Sequence, residues 1–544
     1  MIDAGIGPPP PLSAGAGSTG KSLRVAWWVL LAAAVGVTLL IRIQLLGIPL
    51  ERDEGEYAYA GQLLLQGVSP YQEAYNMKFP GTYAAYAVIM ALFGQTTAAI
   101  HLGLLLVNAA TVALLFVLGR RLLGFAAAVA TAASYAVLSV SPAVLGFAGH
   151  ATHFVMLMVL GGLVILLRNG QAGNQSLLLG GMLLGIGVLM KQPGAAFVPL
   201  GVGLVCYRDR RSGLPPRAIL KRAGLLLAAA VLPFALTCLA LWSAGVFDKF
   251  WFWTVSYARE YGTLISFTQG MQTFVKAIKQ VVASAWALWI LAGAGLVAGL
   301  CNKALRPKTI MLLAFLAVSA AAVSAGLYFR RHYFILALPV VSLLIGAAVA
   351  WTGTFRLPLV RSFTWLVVAG ALASAVFAER AFLFETNPET ASRLAYGRNP
   401  FPEAVRIAEF LRERTAPEDK IAIIGSEPQI YFHSQRRSAT GHIYLYGLME
   451  PHQYAARMQR EMIQEIEAAN PKFLVVVAVD ASWLARRDSE KLIFEWMNES
   501  IVAKFQLVGL ADMGSREETE YYLPAPADMA TEIPQNSIVV YERK

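Results

Sequence analysis

The chain has 544 residues, of which 57% are hydrophobic and only 15% charged, and its mean hydropathy is +0.54. This composition excludes an ordinary soluble globular protein, because many apolar runs are long enough to cross a bilayer as helices. The formal net charge of +11 lies in short loops between those runs, so we expect no nucleic-acid partner. Three cysteines without a CxxC pair indicate neither a disulfide framework nor a zinc site.

Residues 1–20 are rich in Pro, Gly, Ala and Ser and are predicted to be a disordered cytoplasmic tail. Residues 21–384 are predicted to form an α-helical, polytopic membrane domain of about 11 transmembrane helices. The first is an uncleaved anchor, because its apolar run is longer than a signal-peptide core. The predicted spans are 25–46, 83–119 with a short surface helix over 83–93, 122–141, 153–167, 176–190, 194–207, 223–245, 281–300, 309–328, 333–351 and 362–379.

The loops between these spans differ in charge. Alternate loops carry many Lys and Arg residues with Asp209 as their one acid, which is typical of the cytoplasmic side. We therefore expect the loop after the first helix, and everything after Phe384, to face outward across the lipid bilayer. The stretch from Phe247 to Ile278 mixes Trp and Tyr with cations and is predicted to lie along the headgroups.

Residues 385–544 differ from the membrane domain, since charged residues become frequent and short apolar runs alternate with helical patterns. This alternation predicts a soluble extracytoplasmic α/β domain. No G-x-G-x-x-G pattern follows its first strand, so no nucleotide site is predicted. The predicted helices are 403–414 and 452–469, and the predicted strands are 420–425, 473–479, 501–510 and 537–542.

Acidic residues gather in the first outer loop, directly after the first span. Asp53, with Glu56 three residues later, fits a helix capping box, and Glu54 lies between them. Alternatively, Asp53 is a general base held at the membrane surface. Lys78, which precedes a Phe-Pro-Gly turn, fits either a lysine that reaches the headgroups or a cation that holds a phosphate.

Further ionisable groups lie at the outer ends of later spans. Lys191 fits either a simple turn between helices or a ligand for phosphate. Arg330, Arg331 and His332 fit either anchoring to lipid phosphates or a second contact with a donor phosphate, and His153 fits a helix cap or a pocket residue. Because ionisable groups near a membrane are costly, their gathering at one rim favours a functional site.

These motifs resemble one family, through their order and topology more than through any single motif. The Asp-Glu pair of the first outer loop, the Lys-Phe-Pro-Gly turn, the Lys-Gln-Pro turn and the Arg-His-Tyr-Phe helix start are similar to the C-type glycosyltransferases of the protein O-mannosyltransferase and lipid A aminoarabinose transferase group. The resemblance covers about residues 20–380. Residues 385–544 are similar to the soluble domains of bacterial members, which implies a bacterial plasma membrane.

The resemblance implies an inverting transfer of a mannose- or aminoarabinose-like sugar from polyprenyl phosphate to an extracytoplasmic acceptor. It implies that Asp53 is the base, with Glu54 as its neighbour. Related enzymes often carry an acid where this chain has His153, so sugar or acceptor handling differs there. Members are generally metal-independent, and we expect no metal or cofactor. The donor phosphate is expected to contact Lys78, Lys191, Arg330, Arg331 and His332, with Tyr57 and His153 in the pocket.

Three other classes remain open. A membrane transporter of a lipid or small solute is the leading alternative, but transporters place ionisable groups or broken helices near the bilayer midplane, often within repeats. Here the charges lie at one rim, and no internal repeat is evident. A scaffold leaves the rim charges without a role, and a lipid-linked-sugar polymerase differs mainly in its acceptor, which the sequence does not reveal.

Overall fold

A computed structural model describes residues 18–168, 170–355, 357–514, 518–526, 529 and 533–544. The predicted tail at 1–20 therefore lies largely outside the described residues, and the first helix begins at Ser18. The sixteen helices of the amino-terminal part are α1 Ser18–Gln44, α2 Arg52–Leu65, α3 Gly81–Phe93, α4 Thr97–Leu123, α5 Phe125–Leu138, α6 Ala151–Leu166, α7 Asn174–Met190, α8 Phe197–Arg211, α9 Pro216–Ser243, α10 Phe247–Trp251, α11 Ala258–Thr263, α12 Phe267–Ala283, α13 Trp286–Cys301, α14 Arg306–Val323, α15 Leu338–Thr352 and α16 Pro358–Ala378.

The chain is a multi-pass membrane protein. Five helices in the described part of the chain, α1, α4, α9, α14 and α16, are long and apolar enough to cross a bilayer. The pair α12 and α13, bent by 102°, makes a sixth if it is counted as one span. Shorter apolar helices, namely α3, α5, α6, α7 and α15, pack among them, so the predicted count of eleven spans stays a prediction.

Small residues let these helices pack closely, as is common between membrane helices. A methyl group on Gly185 of α7 would collide with the Ala230 carbonyl of α9. Likewise, a methyl group on Gly295 of α13 would collide with the Leu344 carbonyl of α15. The apolar runs therefore form a tightly packed bundle.

The carboxyl-terminal part has the predicted α/β architecture. Its six-stranded sheet has the order β2-β1-β3-β6-β4-β5, with β1 parallel to β2 and β3 and the other pairs antiparallel. Its strands are β1 Lys420–Ile424, β2 Arg437–Ser438, β3 Phe473–Ala478, β4 Phe505–Asp512, β5 Glu520–Tyr522 and β6 Ser537–Arg543, and its helices are α17 Arg380–Phe384, α18 Pro388–Tyr396, α19 Phe401–Arg414, α20 Gln429–Ser434, α21 Tyr446–Met449, α22 Ala455–Ala469, α23 Asp480–Trp483 and α24 Leu492–Lys504.

Two local differences from the sequence expectations have simple causes. The predicted strand at 501–510 begins only at Phe505, because residues 501–504 complete α24. Helix α2 was indicated only by a capping-box pattern and was given no bounds, since its first turn is charged and no apolar run marks it. It is nevertheless largely buried, because the carboxyl-terminal part covers it.

The contact between α2 and the carboxyl-terminal part is close. The Arg52 guanidinium pairs with the Glu427 carboxylate at 2.5 Å and donates to the Ser426 carbonyl at 2.6 Å. Farther along α2, the Tyr59 hydroxyl accepts a hydrogen bond from the Ser438 backbone at 2.8 Å. The ion pair is buried, so neither charge can be moved without leaving the other uncompensated.

Replacing Gly55 tests this contact. A methyl group at Gly55 would lie 2.6 Å from the backbone nitrogen of Gln429, so we expect Gly55→Ala to push α20 away and to destabilise the protein by about 1–3 kcal/mol. Gly36→Ala in α1 is the matched control, because nothing lies within 4 Å of its methyl position. Thermal unfolding in detergent should show a lower midpoint for the first variant only; equal midpoints would contradict the close contact.

Candidate active site

The first turn of α2 places the acidic residues of the first outer loop. Glu51 is the N-cap: its side chain accepts from the Glu54 backbone at 3.1 Å, and the Glu54 side chain accepts from the Glu51 backbone at 3.4 Å. The expectation that Asp53 is the N-cap is therefore wrong by two residues. Because Glu51 satisfies the helix end, the Asp53 side chain is free to interact with other residues. The group around Asp53 is called the cleft below, and it comprises Glu51, Glu56, Lys78, His150, His332 and Tyr444.

Asp53 and Glu56 share one cation. The Lys78 ammonium lies 2.8 Å from Asp53 Oδ1 and 2.6 Å from Glu56 Oε2. It also lies over the rings of Tyr57 and Tyr444, at 4.7 and 5.4 Å from their centroids. The side chains of Lys78 and Asp53 are 18% and 17% exposed, so this charge cluster is partly open, whereas Glu56 is buried.

The charges within the cluster determine the protonation states of Asp53 and Lys78. Burial opposes ionisation of Asp53, but Lys78 and then the His332, His150 and Lys191 side chains outweigh it and hold the Asp53 pKa well below its usual range. Burial likewise opposes charge on Lys78, but Asp53 and Glu56 raise its pKa well above the usual range. Asp53 is therefore an ionised carboxylate at neutral pH.

The two oxygens of Asp53 differ. Oδ1 accepts from Lys78 and, at 3.3 Å, from the Tyr444 hydroxyl of the carboxyl-terminal part. Oδ2 accepts no hydrogen bond from any described residue, and His332 Nε2 lies 4.0 Å from it. One oxygen is thus fixed in place while the other remains open to a ligand.

Glu54 does not act as a second open carboxylate. Its Oε1 accepts from the Gly149 backbone at 2.5 Å and lies 3.0 Å from His101 Nε2, while Oε2 is used in the helix cap. Glu54 is only 1% exposed. Glu54 therefore links α2, α4 and the loop before α6, and its catalytic role stays a prediction.

Two cations of the predicted set lie at the rim without a carboxylate partner. Lys191, at the end of α7, stacks its ammonium 4.3 Å from the Tyr333 ring centroid, and no described carboxylate lies within ion-pair distance of it. Burial lowers the Lys191 pKa to about 8. Arg330 is exposed and lies 5.8 Å from the Tyr328 ring centroid. Lys191 and Arg330 can therefore both bind an anion.

Two other predicted residues point elsewhere. The Arg331 guanidinium donates to the backbone carbonyls of Ala395 at 2.9 Å and Pro142 at 3.5 Å, so it ties α18 to the bundle and does not face Asp53. His153 is buried in α6 and forms no ion pair with a described acid. Of the predicted phosphate-binding set, His332 stays in the cleft, stacked on His150 at 4.0 Å between ring centroids.

Four residues of the cleft were not predicted as site residues. Glu51 and Glu56 belong to the same acidic stretch as Asp53, so its charge density was their signal. His150 lies in an outer loop of the sequence but has no motif around it. Tyr444 lies nearly four hundred positions from Asp53, and no local pattern marks it.

Comparisons with known proteins agree with this architecture. A family model described as dolichyl-phosphate-mannose-protein mannosyltransferase matches residues 78–242, which include Lys78, His150 and Lys191. No curated protein sequence matches the chain significantly.

Solved structures match almost the whole chain. ArnT from Cupriavidus metallidurans bound to undecaprenyl phosphate is 14% identical over 94% of this chain and 97% of that one, with a TM-score of 0.57. Its apo state is 13% identical over 95% and 98%, with a TM-score of 0.58. Archaeal oligosaccharyltransferase AglB from Archaeoglobus fulgidus, in complex with an inhibitory peptide and a dolichol-phosphate, is 13% identical over 95% and 76%, with a TM-score of 0.48. The two ArnT matches show that the chain has the fold of the C-type glycosyltransferases, as its sequence motifs predicted.

Proposed function

We propose that this protein is an inverting glycosyltransferase that moves a sugar from a polyprenyl phosphate to an acceptor hydroxyl on the extracytoplasmic side. One observation carries the proposal: an ionised Asp53 has a single open oxygen and feels the charge of Lys191, a cation without a carboxylate partner among the described residues. A carboxylate next to an anion site is what transfer from a phosphate leaving group needs. The mannosyltransferase family model and the undecaprenyl phosphate held by ArnT support this choice of donor.

Asp53 acts as the general base. The acceptor hydroxyl donates its proton to Asp53 Oδ2 while its oxygen forms a bond to the anomeric carbon of the sugar. The bond from that carbon to the phosphate oxygen breaks on the opposite face, and its electron pair leaves with the polyprenyl phosphate. Lys78 and the Tyr444 hydroxyl hold Oδ1, so the base keeps one orientation throughout the step.

The departing phosphate gains negative charge, so it needs cations more than a proton. Lys191 and Arg330 fit this role, because each faces the rim without a carboxylate partner among the described residues. Lys78 is assigned differently from the sequence-based expectation, because its charge is already shared by Asp53 and Glu56. It is a positioning residue for the base. The sugar is expected to be mannose- or aminoarabinose-like.

The proposed orientation of the chain in the membrane follows from the charges of its loops. The amino terminus lies in the cytoplasm, and residues 385–544 lie outside as a domain that covers the rim of the membrane domain 21–384. This arrangement puts Asp53, Lys191 and the soluble domain on one face. A transporter gains no support, because the ionisable cluster lies where helices begin and end and is covered by that domain.

Asp53→Asn removes the base while keeping the shape of the side chain. We expect the rate of sugar transfer to fall by about 10²–10⁴-fold, with the thermal midpoint within a few degrees of the parent. Transfer is measured with purified protein in lipid nanodiscs and a labelled polyprenyl-phosphate sugar.

Glu73→Gln is the matched control for Asp53→Asn. Glu73 belongs to the same outer loop, but it pairs with Arg437 at 3.3 Å, outside the cluster. It should retain transfer, because partly exposed pairs contribute little. A fully active Asp53→Asn protein would remove Asp53 from the base role.

The pH dependence of donor use tests Lys191. Burial, together with Lys78 and Arg330, lowers its pKa to about 8 against the opposing effect of Asp53 and Glu51. Lys191 is charged below that pH and neutral above it, so kcat/KM for the donor should fall as the pH rises through about 8. The neighbouring Tyr333 has a pKa raised by burial and does not titrate in this range.

Lys191→Arg supplies the control, since a guanidinium stays charged across the same range. Its pH profile should lose the fall near pH 8 even if its maximal rate is lower. An unchanged fall in the arginine variant would assign the titration to another group and remove Lys191 from the phosphate site.

A further inference from the structure

A pair of histidines lies against the open side of Asp53 and has no role in the proposed transfer. The rings of His150 and His332 are stacked 4.0 Å apart with an angle of 14°, and both residues are buried. Neither ring nitrogen of His150 has a hydrogen-bond partner among the described residues. The nearest acid oxygen is Glu51 Oε1, 3.6 Å from His150 Nδ1. Unsatisfied buried polar groups are costly, so this one suggests a ligand.

The donor atoms around this pair converge. Asp53 Oδ2 lies 4.0 Å from His332 Nε2, and one donor atom from each of Asp53, His150 and His332 lies within 4.8 Å of the others. An ion at the centre of such a triangle would be at most about 2.8 Å from each atom, against about 2.0–2.2 Å for zinc bound to nitrogen or carboxylate oxygen. Side-chain rotations that move each atom by roughly 0.7 Å close the site.

The chemistry of the donor set selects the ion. Two imidazoles and one carboxylate suit zinc and related transition metals, whereas magnesium and calcium prefer oxygen ligands.

We infer that Asp53, His150 and His332 form a zinc site that inhibits the enzyme. The inhibitory role rests on the proposed function. Zinc would bind Asp53 Oδ2, which is the same oxygen that takes the acceptor proton. The bound ion and the acceptor hydroxyl therefore exclude each other, and zinc acts as an inhibitor competitive with the acceptor.

Binding is tested first, with zinc alone. The purified full chain in detergent is stripped with a chelator and titrated with Zn²⁺ by calorimetry, with Mg²⁺ as the comparison ion. We expect one Zn²⁺ bound per chain and no comparable binding of Mg²⁺. His150→Phe keeps a ring stacked on His332 but removes both nitrogens, so Zn²⁺ affinity should fall by roughly 100-fold, the upper range for a disturbed metal site.

His433→Phe is the control, since His433 lies in the soluble domain outside the cleft and should leave the affinity unchanged. Failure to bind Zn²⁺, or equal affinity in the parent and His150→Phe, would overturn the site. This outcome is independent of the proposed function, because it needs no sugar transfer.

Transfer is tested second. Micromolar Zn²⁺ should slow transfer by the parent, and raising the acceptor concentration should relieve the inhibition. For His150→Phe, the rate with zinc is compared with that variant's own rate without zinc, and the fractional inhibition should be much smaller than in the parent. Equal inhibition of both proteins would overturn the inhibitory role. Absence of transfer in both proteins without zinc would instead count against the proposed function and leave the binding result to decide the zinc site.

Discussion

The structure depends on one partly buried ion cluster, in which Lys78 neutralises Asp53 and Glu56 together. An isolated buried charge is expensive, and a pair is tolerated only when further hydrogen bonds satisfy the remaining atoms. The Tyr83 hydroxyl supplies one such bond to Glu56 at 2.5 Å, and the Tyr444 hydroxyl supplies another to Asp53. Asp53 Oδ1 and both Glu56 oxygens accept hydrogen bonds from described residues. The open Oδ2 of Asp53 is therefore the reactive atom in this account.

The carboxyl-terminal part makes this cluster possible. It covers α2 through the buried Arg52–Glu427 pair and the close approach at Gly55, so most of this helix is buried. Tyr446 extends the contact, because its hydroxyl accepts from Arg52 at 2.9 Å and its ring lies edge-on to Tyr444. The carboxyl-terminal part therefore lines the cleft as well as covering α2, and the proposed base is oriented from both sides.

The sequence was a good guide to the bundle and a partial guide to the cleft. Long apolar runs predict membrane helices, because length and hydropathy are properties of the chain itself. The burial of helix α2 was not predicted, because it comes from contacts with a remote part of the chain and not from an apolar face of the helix itself. The acidic loop was found, yet which carboxylate stays open depends on tertiary partners: the Gly149 backbone and His101 occupy Glu54.

Adjacent residues show the same limit. Arg330 and Arg331 are equivalent in the sequence, but the turn that begins after Arg330 sends them in different directions. Arg331 binds backbone carbonyls near α18, whereas Arg330 stays exposed at the rim. Lys78 was expected to meet a phosphate, and only the folded structure shows that two acids already hold it. The sequence therefore shows where charged residues lie along the chain, and tertiary packing determines which partner each of them has.

A structure of the protein in nanodiscs with a non-transferable polyprenyl-phosphate sugar tests the central claim most directly. The account predicts that the phosphate contacts Lys191 and Arg330, that the Lys78–Asp53 pair persists, and that Asp53 Oδ2 faces the anomeric carbon from the side opposite the phosphate. A phosphate bound instead by Lys78, with Asp53 displaced from it, or a donor seated at the cytoplasmic ends of the helices, would contradict the account.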